Sequence, residues 1–130
     1  MLRTLMILFG CISLAACTNS LGPNSLTGIY DGSYTTTAQH ISYQAEIHIL
    51  EASDTVGGTL HTTTGRSAQV YGPILGHLLV MRIVFNDTCG GSATSTAATI
   101  TDGGRHLAGD FSVSGGCDGR YTASYSVTKQ

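Results

Sequence analysis

Apolar and polar residues alternate one by one along several stretches of this chain, and this pattern limits the fold more than any other feature. The cleanest case is residues 121–128, where tyrosine, alanine, tyrosine and valine alternate with threonine and serine. Residues 43–49 show the same period, as do residues 107–113, with Gly109 as a gap in the apolar row. Successive side chains of a β-strand point to opposite faces, so each stretch predicts a strand with one buried face. The sequence therefore predicts an all-β fold.

Glycine-rich turn signals divide the chain at intervals of about ten residues, as is typical of a sandwich or a barrel. They predict eight strands, at residues 27–36, 42–52, 55–63, 67–75, 77–86, 92–101, 104–113 and 119–128. Pro73 has no backbone N–H, so an edge or a bulge is expected in the fourth strand. Eight successive strands favour a small antiparallel up-and-down (meander) β-barrel, because closure removes the exposed sheet edges. A Greek-key β-sandwich is the alternative.

Two cysteines, Cys89 and Cys117, follow the fifth and the seventh predicted strands. In a meander these two loops lie at the same end, so a disulfide between them is geometrically reasonable. On the chain-entropy argument such a bridge stabilises the fold by about 3–4 kcal/mol. The alternatives are two free thiols or half of a metal site. The metal site is disfavoured, because neither cysteine has a C-x-x-C partner or a nearby histidine.

The N-terminal segment has the ordered features of a bacterial export signal. Arg3 is followed by the apolar residues 5–14 and then by Leu14-Ala15-Ala16-Cys17. The apolar run is too short to cross a bilayer of about 30 Å as a helix. Residues 1–17 resemble bacterial lipoprotein precursors, which implies cleavage after Ala16 and acylation of Cys17 with chains such as palmitate. An ordinary signal peptide cut nearby, with Cys17 as a structural cysteine, is the alternative.

This resemblance also implies a division of the chain and a location. Residues 1–16 are the expected signal peptide, 17–26 the lipidated cysteine with a polar tether, and 27–130 the β-barrel domain. Thr18, rather than aspartate, follows the cysteine, which in many Gram-negative bacteria implies sorting to the outer membrane. We therefore expect a lipid-anchored protein of the cell envelope that faces the periplasm. A Cys89–Cys117 pair fits that oxidising compartment.

Charge and composition exclude one class of partner. The formal net charge is −2 and only 11% of the residues are charged. Because no basic patch is available to neutralise phosphates, nucleic acid is not an expected partner. The expected partners are the membrane, through the lipid, and a small ligand or an envelope protein.

Two short stretches bear a limited likeness to known barrels. Residues 27–34 and 56–60 combine glycine, threonine and aromatic or apolar residues in a pattern that resembles the opening strands of small calycin and avidin-type barrels. The resemblance covers only these residues, and it implies a meander barrel. The chain contains no tryptophan, so an avidin-like biotin site lined by tryptophan is not supported.

No motif for catalysis stands out. The chain lacks the G-x-S-x-G, H-E-x-x-H, P-loop and G-x-G-x-x-G patterns. Serine, histidine and aspartate are present, but they predict nothing without a defined geometry. We therefore expect no enzymatic activity and no cofactor.

The best candidates for metal ligands are Glu46, His48 and His61. Glu46 and His48 share a face of the second predicted strand, and His61 lies on the third. In the right register, two imidazoles and a carboxylate would suit zinc or copper. We favour the interpretation that all three lie on the solvated face, because a slip of one residue breaks the cluster.

Tyrosines concentrate in the first, second and eighth predicted strands, which adjoin in a closed barrel. They are Tyr30, Tyr34, Tyr43, Tyr121 and Tyr125. They are candidates for a ligand-binding wall, or they fill the core, since an eight-stranded barrel holds little more than its own side chains. Arg82 interrupts an apolar run, and it either extends into solvent, pairs with a carboxylate such as Asp110, or faces a ligand.

Together these features favour a non-enzymatic binding module at the cell envelope, for a small ligand or a protein partner. An inhibitor of an envelope or secreted hydrolase is the alternative. A ligand carrier predicts a cavity lined by the tyrosines. An inhibitor predicts a rigid exposed loop near the disulfide, such as residues 115–119. An enzyme would need several histidine or acidic side chains to converge in a cleft.

Overall fold

The computed structural model describes residues 25–117 and 119–130. The predicted signal peptide (1–16), Cys17 and most of the predicted tether (17–26) lie outside the described residues. Within them the fold is all-β, with one 3-10 turn at Asp102–Gly104. No helix of the described part is long and apolar enough to cross a membrane. The strands are β1 (Gly28–Thr36), β2 (Ser42–Ala52), β3 (Thr55–Thr62), β4 (Ser67–Leu75), β5 (Leu78–Leu79), β6 (Arg82–Phe85), β7 (Ser92–Ser95), β8 (Ala98–Thr101), β9 (His106–Ser114) and β10 (Tyr121–Lys129).

The strands form a closed antiparallel barrel with eight positions around its wall. Strands β5 and β6 together occupy the fifth position, and β7 and β8 together occupy the sixth. Strand β10 pairs with both β9 and β1, so the sheet closes. The prediction of an eight-stranded meander barrel is confirmed, and the Greek-key alternative is wrong because neighbours around the barrel follow the order of the chain.

The prediction of an edge or a bulge at Pro73 in the fourth strand is wrong, because β4 pairs in continuous register with β3 on one side and with β5 and β6 on the other. Strand β4 runs without interruption through Pro73, but its neighbour is broken between β5 and β6. Because Pro73 has no N–H to donate, a regular ladder cannot form at this position. The Pro73 carbonyl still accepts a hydrogen bond from the Val80 N–H at 3.1 Å.

The barrel interior is filled by the inward-facing residues of every strand. The apolar run 78–85 shows the alternation clearly, because Leu79, Met81, Ile83 and Phe85 are buried while Leu78, Arg82 and Val84 are exposed. The gap at Gly109 is also explained. A β-carbon there would lie 3.0 Å from the Ala98 backbone and 3.5 Å from the Tyr125 ring. Glycine at this point therefore lets β8 and the Tyr125 ring approach β9.

The two ends of the barrel differ in the loops and chain segments that form them. The disulfide end comprises loops 37–41, 63–66 and 86–91 and the segment after β9 that contains Cys117. Here the predicted Cys89–Cys117 disulfide is confirmed, with the two Cα atoms 4.9 Å apart. The N-terminal end comprises residues 25–27, the turns at 53–54, 76–77 and 102–105, and the C-terminus.

Tyr30 seals the N-terminal end. Its side chain is fully buried, and its hydroxyl lies 3.0 Å from the Leu26 carbonyl oxygen and 2.6 Å from that of Gly104. It therefore joins the segment before β1 to the turn before β9. Burial, aided by the charge of Glu51, raises the pKa of Tyr30 to about 12. The Leu26 N–H donates to the Glu51 carboxylate at 3.2 Å, which holds the same segment from a second side.

Candidate binding site

The interior of the barrel is packed rather than hollow. Its cavity measures about 30 Å³ and is lined by aromatic and aliphatic side chains. That volume accommodates about two water molecules. Among the tyrosines proposed as a ligand-binding wall, Tyr34, Tyr121 and Tyr125 border this cavity, and here they mainly fill the core. A ligand larger than water would have to bind elsewhere.

Phe111 is the centre of an aromatic cluster toward the disulfide end. Its ring centroid lies 5.7 Å from that of Tyr34, 5.9 Å from Tyr125 and 6.4 Å from Tyr121. Tyr43 joins the cluster through Tyr34, at 5.2 Å. The rings meet at tilted or edge-on angles, an arrangement that aromatic pairs prefer. This cluster gives the disulfide end a floor of rigid side chains.

Above this floor the disulfide end opens into a cup. It has a volume of about 520 Å³ and is lined by Tyr34, Thr36, Ala38, Gln39, Tyr43, Thr64, Arg66, Cys89, Arg120, Tyr121 and Thr122. Three of these residues, Tyr34, Arg66 and Tyr121, also border the interior cavity and so separate the two spaces. The described lining contains two arginines and no carboxylate. The cup therefore combines ring faces, neutral hydrogen-bonding groups and guanidinium donors.

Arg66 is held firmly at the edge of the cup. Its guanidinium lies 4.0 Å from the centre of the Phe85 ring, within the range of a cation–π contact. Its Nε donates to the Asp87 carboxylate at 2.7 Å, and Nη2 donates to the Gly90 carbonyl at 2.8 Å. The side chain is 11% exposed. Arg66 thus joins the loop before β4 to the loop after β6.

Asp87 is the acceptor that organises the loop after β6. Besides Arg66, it accepts hydrogen bonds from the backbone N–H groups of Ser67, Cys89 and Gly90, at 3.0–3.1 Å. These contacts, with the hydrogen bond from Arg66 the largest, lower the pKa of Asp87 to about 2. The carboxylate therefore stays ionised at all ordinary pH values and holds the residues that lead to Cys89.

The loops joined by the disulfide also touch through their backbones. Gly116 has a φ of +76°, and a β-carbon there would lie 2.4 Å from the Gly90 carbonyl oxygen. Only glycine fits such a position without a shift of the backbone. Residues 115–117 remain exposed to solvent. The rim of the cup is therefore both exposed and braced, by one covalent bond and by direct backbone contact.

The remaining predicted site residues lie away from the cup. Tyr30 is at the opposite end, where its hydroxyl contacts backbone carbonyls. Arg82 is exposed on the outer face of β6, between Tyr71 and Thr94 in the register, so it does not border the interior cavity or the cup. Asp110 accepts a hydrogen bond from the Ser124 hydroxyl at 2.7 Å.

The three candidate metal ligands lie on the outer face of the barrel. Glu46 and His61 are register partners on β2 and β3, and the Glu46 carboxylate is 2.6 Å from Nε2 of His48. The side chains of Glu46 and His48 are each nearly half exposed. Across the described residues, no three histidine, cysteine, aspartate or glutamate side chains are arranged to hold a metal ion.

Several cup residues are not among the predicted site residues, and the charged ones are Arg66 and Arg120. Arg66 lies between the third and fourth predicted strands and Arg120 at the start of the eighth, positions that predict no binding role. One feature of the sequence could have indicated a binding role for them. The chain has only six lysines and arginines, and Arg66 and Arg120 flank loops at the end of the barrel where the disulfide is predicted. The chain matches no protein-family model, and no curated protein is similar enough to count as a relative. The cup is therefore interpreted from its geometry alone.

Proposed function

We propose that this protein is a lipid-anchored, non-enzymatic binding protein of the cell envelope that uses the cup at its disulfide end. The ligand class that fits the cup best carries a flat ring and an anionic group. The supporting observation is the composition of the cup, in which Tyr34, Tyr43 and Tyr121 stand beside Arg66 and Arg120. The anchor rests on the resemblance of residues 1–17 to lipoprotein precursors.

Size favours the cup over the interior as the binding site. Small-molecule sites commonly measure about 300–1,000 Å³. The cup, at about 520 Å³, lies within that range, whereas the interior cavity of about 30 Å³ lies far below it. A carrier that encloses its ligand is therefore disfavoured, and a ligand held at one end of the barrel is favoured. The hollow at the N-terminal end also measures about 510 Å³, but its lining includes Glu51 and Asp102 and no arginine or tyrosine, so the lining chemistry and not the volume selects the cup.

Chemistry narrows the ligand class further. Tyrosine supplies a large rigid contact surface with a polar tip, at a low cost in side-chain entropy. Arginine offers planar donors that match carboxylate and phosphate groups and also stack on rings. Arg66 already contacts Asp87, so we expect exposed Arg120 to provide the main attraction for an anionic group.

A ring-bearing anion tests the cup directly. We would titrate the protein with anilinonaphthalene sulfonate and compare Tyr43→Ala and Arg120→Gln with the parent chain. Each cup variant should weaken binding about tenfold, the loss expected for a contact worth about 1.4 kcal/mol. The matched controls are Tyr71→Ala on the outer face and Leu75→Ser at the opposite end, and both should bind as the parent does. Equal losses in the controls, or no binding by the parent, would refute the cup as the site.

Mass measurements test the rest of the proposal. The full chain, exported by a bacterial host and extracted from membranes, should have the mass of a chain that begins at an acylated Cys17. Native mass spectrometry should also show an excess mass from a bound ligand, and this mass should be absent from Tyr43→Ala. An unacylated mature chain would overturn the anchor, and a bare parent protein would argue against a tightly held ligand.

Hydrolase inhibition is a second candidate function, and the exposed braced rim favours it. Residues 115–117 present backbone to solvent next to the disulfide, as a rigid inhibitory loop would. This function predicts that the protein at stoichiometric concentration abolishes turnover by an envelope or secreted hydrolase. Inserting two residues after Gly115 should relieve that inhibition, whereas Arg120→Gln should leave it largely intact.

A further inference from the structure

Large apolar side chains that face solvent are concentrated at the N-terminal end of the barrel. Leu50 is 69% exposed, Leu75 60% and Leu78 41%. Leu50 lies near the end of β2, while Leu75 and Leu78 flank the turn between β4 and β5 and are direct register partners. Ile29, the second residue of β1, is 38% exposed at the same end. These four residues are called here the apolar rim.

The chain also enters the barrel at this end. Ser25 and Leu26 are fixed there, because Lys129 donates to the Ser25 carbonyl at 2.7 Å and Glu51 accepts from the Leu26 N–H. Ser25 lies eight positions after Cys17, with seven residues between them. Even fully extended, eight residues span at most about 28 Å. The apolar rim therefore reaches the bilayer while this segment is relaxed, at about 16 Å for a flexible chain of eight residues. The cup, at the far end of the barrel, would reach the bilayer only with the segment almost fully extended.

We propose that the apolar rim rests on the bilayer surface, so that the cup faces away from the membrane that anchors the protein. This inference rests on the lipid anchor proposed above and adds an orientation to it. A short tether holds the rim at a high local concentration near the lipid, so a small apolar contact is enough to favour docking. Exposed apolar patches of this kind commonly mark protein or membrane contacts.

Charges at the same end indicate what kind of contact this is. The described acidic side chains at this end include Glu51, Asp54 and Asp102, and the basic ones are Arg105 and Lys129. Because this set has no excess of positive charge, attraction to anionic headgroups does not explain docking. The contact should be made by the leucines and should change little with salt. It also places the cup about 20–25 Å from the bilayer surface, given tilted strands of nine residues.

The lack of tryptophan in the chain makes a clean test available. Leu75→Trp and Ile41→Trp each introduce one emitter, at the apolar rim and at the disulfide end respectively. Both parent side chains are exposed, so neither change disturbs the core. The full chain, processed and lipidated in a bacterial host, would be reconstituted into phosphatidylcholine vesicles with and without acyl chains brominated near the headgroup.

The proposal predicts that brominated lipid quenches Leu75→Trp by at least half and leaves Ile41→Trp unchanged. Adding Leu50→Glu and Leu78→Glu to Leu75→Trp should remove most of that quenching. Equal quenching at both positions, or none at either, would overturn the orientation. A blue shift of Leu75→Trp without quenching would also overturn it, because the rim would then be covered by protein such as a second copy.

The mass of each sample separates this inference from the anchor. An acylated chain whose Leu75→Trp emission is not quenched refutes docking and leaves the anchor standing. A chain without acyl groups refutes the anchor, and the docking inference falls with it.

Discussion

The two ends of this barrel are closed by different means. At the N-terminal end, the buried Tyr30 hydroxyl and the segment before β1 close the barrel interior, and a hollow of about 510 Å³ lies outside them. At the disulfide end, the opening is left as a cup, and its loops are held by a disulfide, by Asp87 and by the Arg66 side chain. Each end thus has a hollow of similar volume, about 510 Å³ at the N-terminal end and about 520 Å³ at the disulfide end. The two ends differ in how the surrounding residues are held and in the lining, which includes Glu51 and Asp102 at the N-terminal end and Arg66 and Arg120 at the disulfide end.

This difference shows how a small barrel can combine stability with a recognition surface. Loops that border an open space bury little apolar area, so they need other constraints to stay in place. At the disulfide end, covalent and charge-assisted contacts supply those constraints. At the N-terminal end, the fully buried Leu26 and Tyr30 supply them by packing. Breaking each of these constraints in turn should therefore affect the two ends differently.

The largest effect is expected from removing the disulfide. Cys89→Ser combined with Cys117→Ser frees a loop with a sequence separation of 28 residues. The free energy of unfolding should fall by about 3–4 kcal/mol, and the melting temperature by about 15 °C or more. Calorimetry of the double variant and of Cys17→Ser measures this, since the second change should leave the melting temperature unaltered. A melting temperature within 3 °C of the parent would show that the bridge does not limit stability.

Removing the hydroxyl that seals the opposite end should cost less. Tyr30→Phe leaves the carbonyls of Leu26 and Gly104 without their donor in a buried site. The expected loss in the free energy of unfolding is about 1–3 kcal/mol, measured by urea titration. Tyr125→Phe is the matched control, because its hydroxyl has a long contact of 3.4 Å with Ser95. A larger loss in the free energy of unfolding for Tyr125→Phe than for Tyr30→Phe would mean that the Tyr30 hydroxyl stabilises the fold less than the Tyr125 hydroxyl does.

The raised pKa of Tyr30 predicts that the protein loses stability at high pH. The pKa of Tyr30 is raised from 10.0 to about 12 in the folded state, so the unfolded chain loses this proton first. The stabilisation is therefore complete below pH 10 and is lost as the pH rises through 12. Urea titrations at pH 9, 11 and 12 should show this decline in the parent and a flatter profile in Tyr30→Phe. Identical profiles would contradict the assignment.

At the disulfide end, a loss of stability is expected at low pH, because of Asp87. The pKa of Asp87 is lowered from 3.8 to about 2, chiefly by the hydrogen bond from Arg66. The stabilisation is therefore present above pH 4 and is lost as the pH falls toward 2. Asp87→Asn should lower the melting temperature by a few degrees at pH 7 and reduce its decline at low pH. Asp54→Asn, an exposed aspartate at the other end, is the control and should leave the profile unchanged.

The smallest effect on stability is expected from a residue placed for recognition. Arg120 is exposed and lines the cup, so Arg120→Gln should change the free energy of unfolding by no more than about 0.5 kcal/mol. Its effect should be confined to binding of the ring-bearing anion. Chemical denaturation and ligand titration on the same sample separate the two. A marked loss of stability in Arg120→Gln would mean that Arg120 holds the loops of the disulfide end in place and does not serve for binding.

Much of the fold was predictable because its determinants are local. Period-two alternation is a property of neighbouring residues, and turn signals mark where each strand ends. The order of strands in a meander then placed Cys89 and Cys117 at one end, and the structure confirms their disulfide. The breaks within the fifth and sixth positions of the barrel were not predicted. The break in the fifth position depends on how Pro73 meets the neighbouring strand, which the sequence of that strand does not reveal. The break in the sixth position coincides with a one-residue shift of register against β9.

The candidate site was less predictable, since it depends on side chains from distant loops. Five tyrosines looked equivalent in sequence, yet Tyr30 seals one end while Tyr34, Tyr43 and Tyr121 line the cup at the other. Arg82 interrupts an apolar run in the sequence, but its side chain is exposed on the outer face of the barrel. Arg66 lies in a predicted turn, but its guanidinium lies over the Phe85 ring. The sequence by itself determined the strands, their order and the disulfide, because periodicity and turn chemistry act over a few residues. Only the tertiary structure decided which side chains line the hollow at each end, because that choice depends on contacts between loops far apart in the chain.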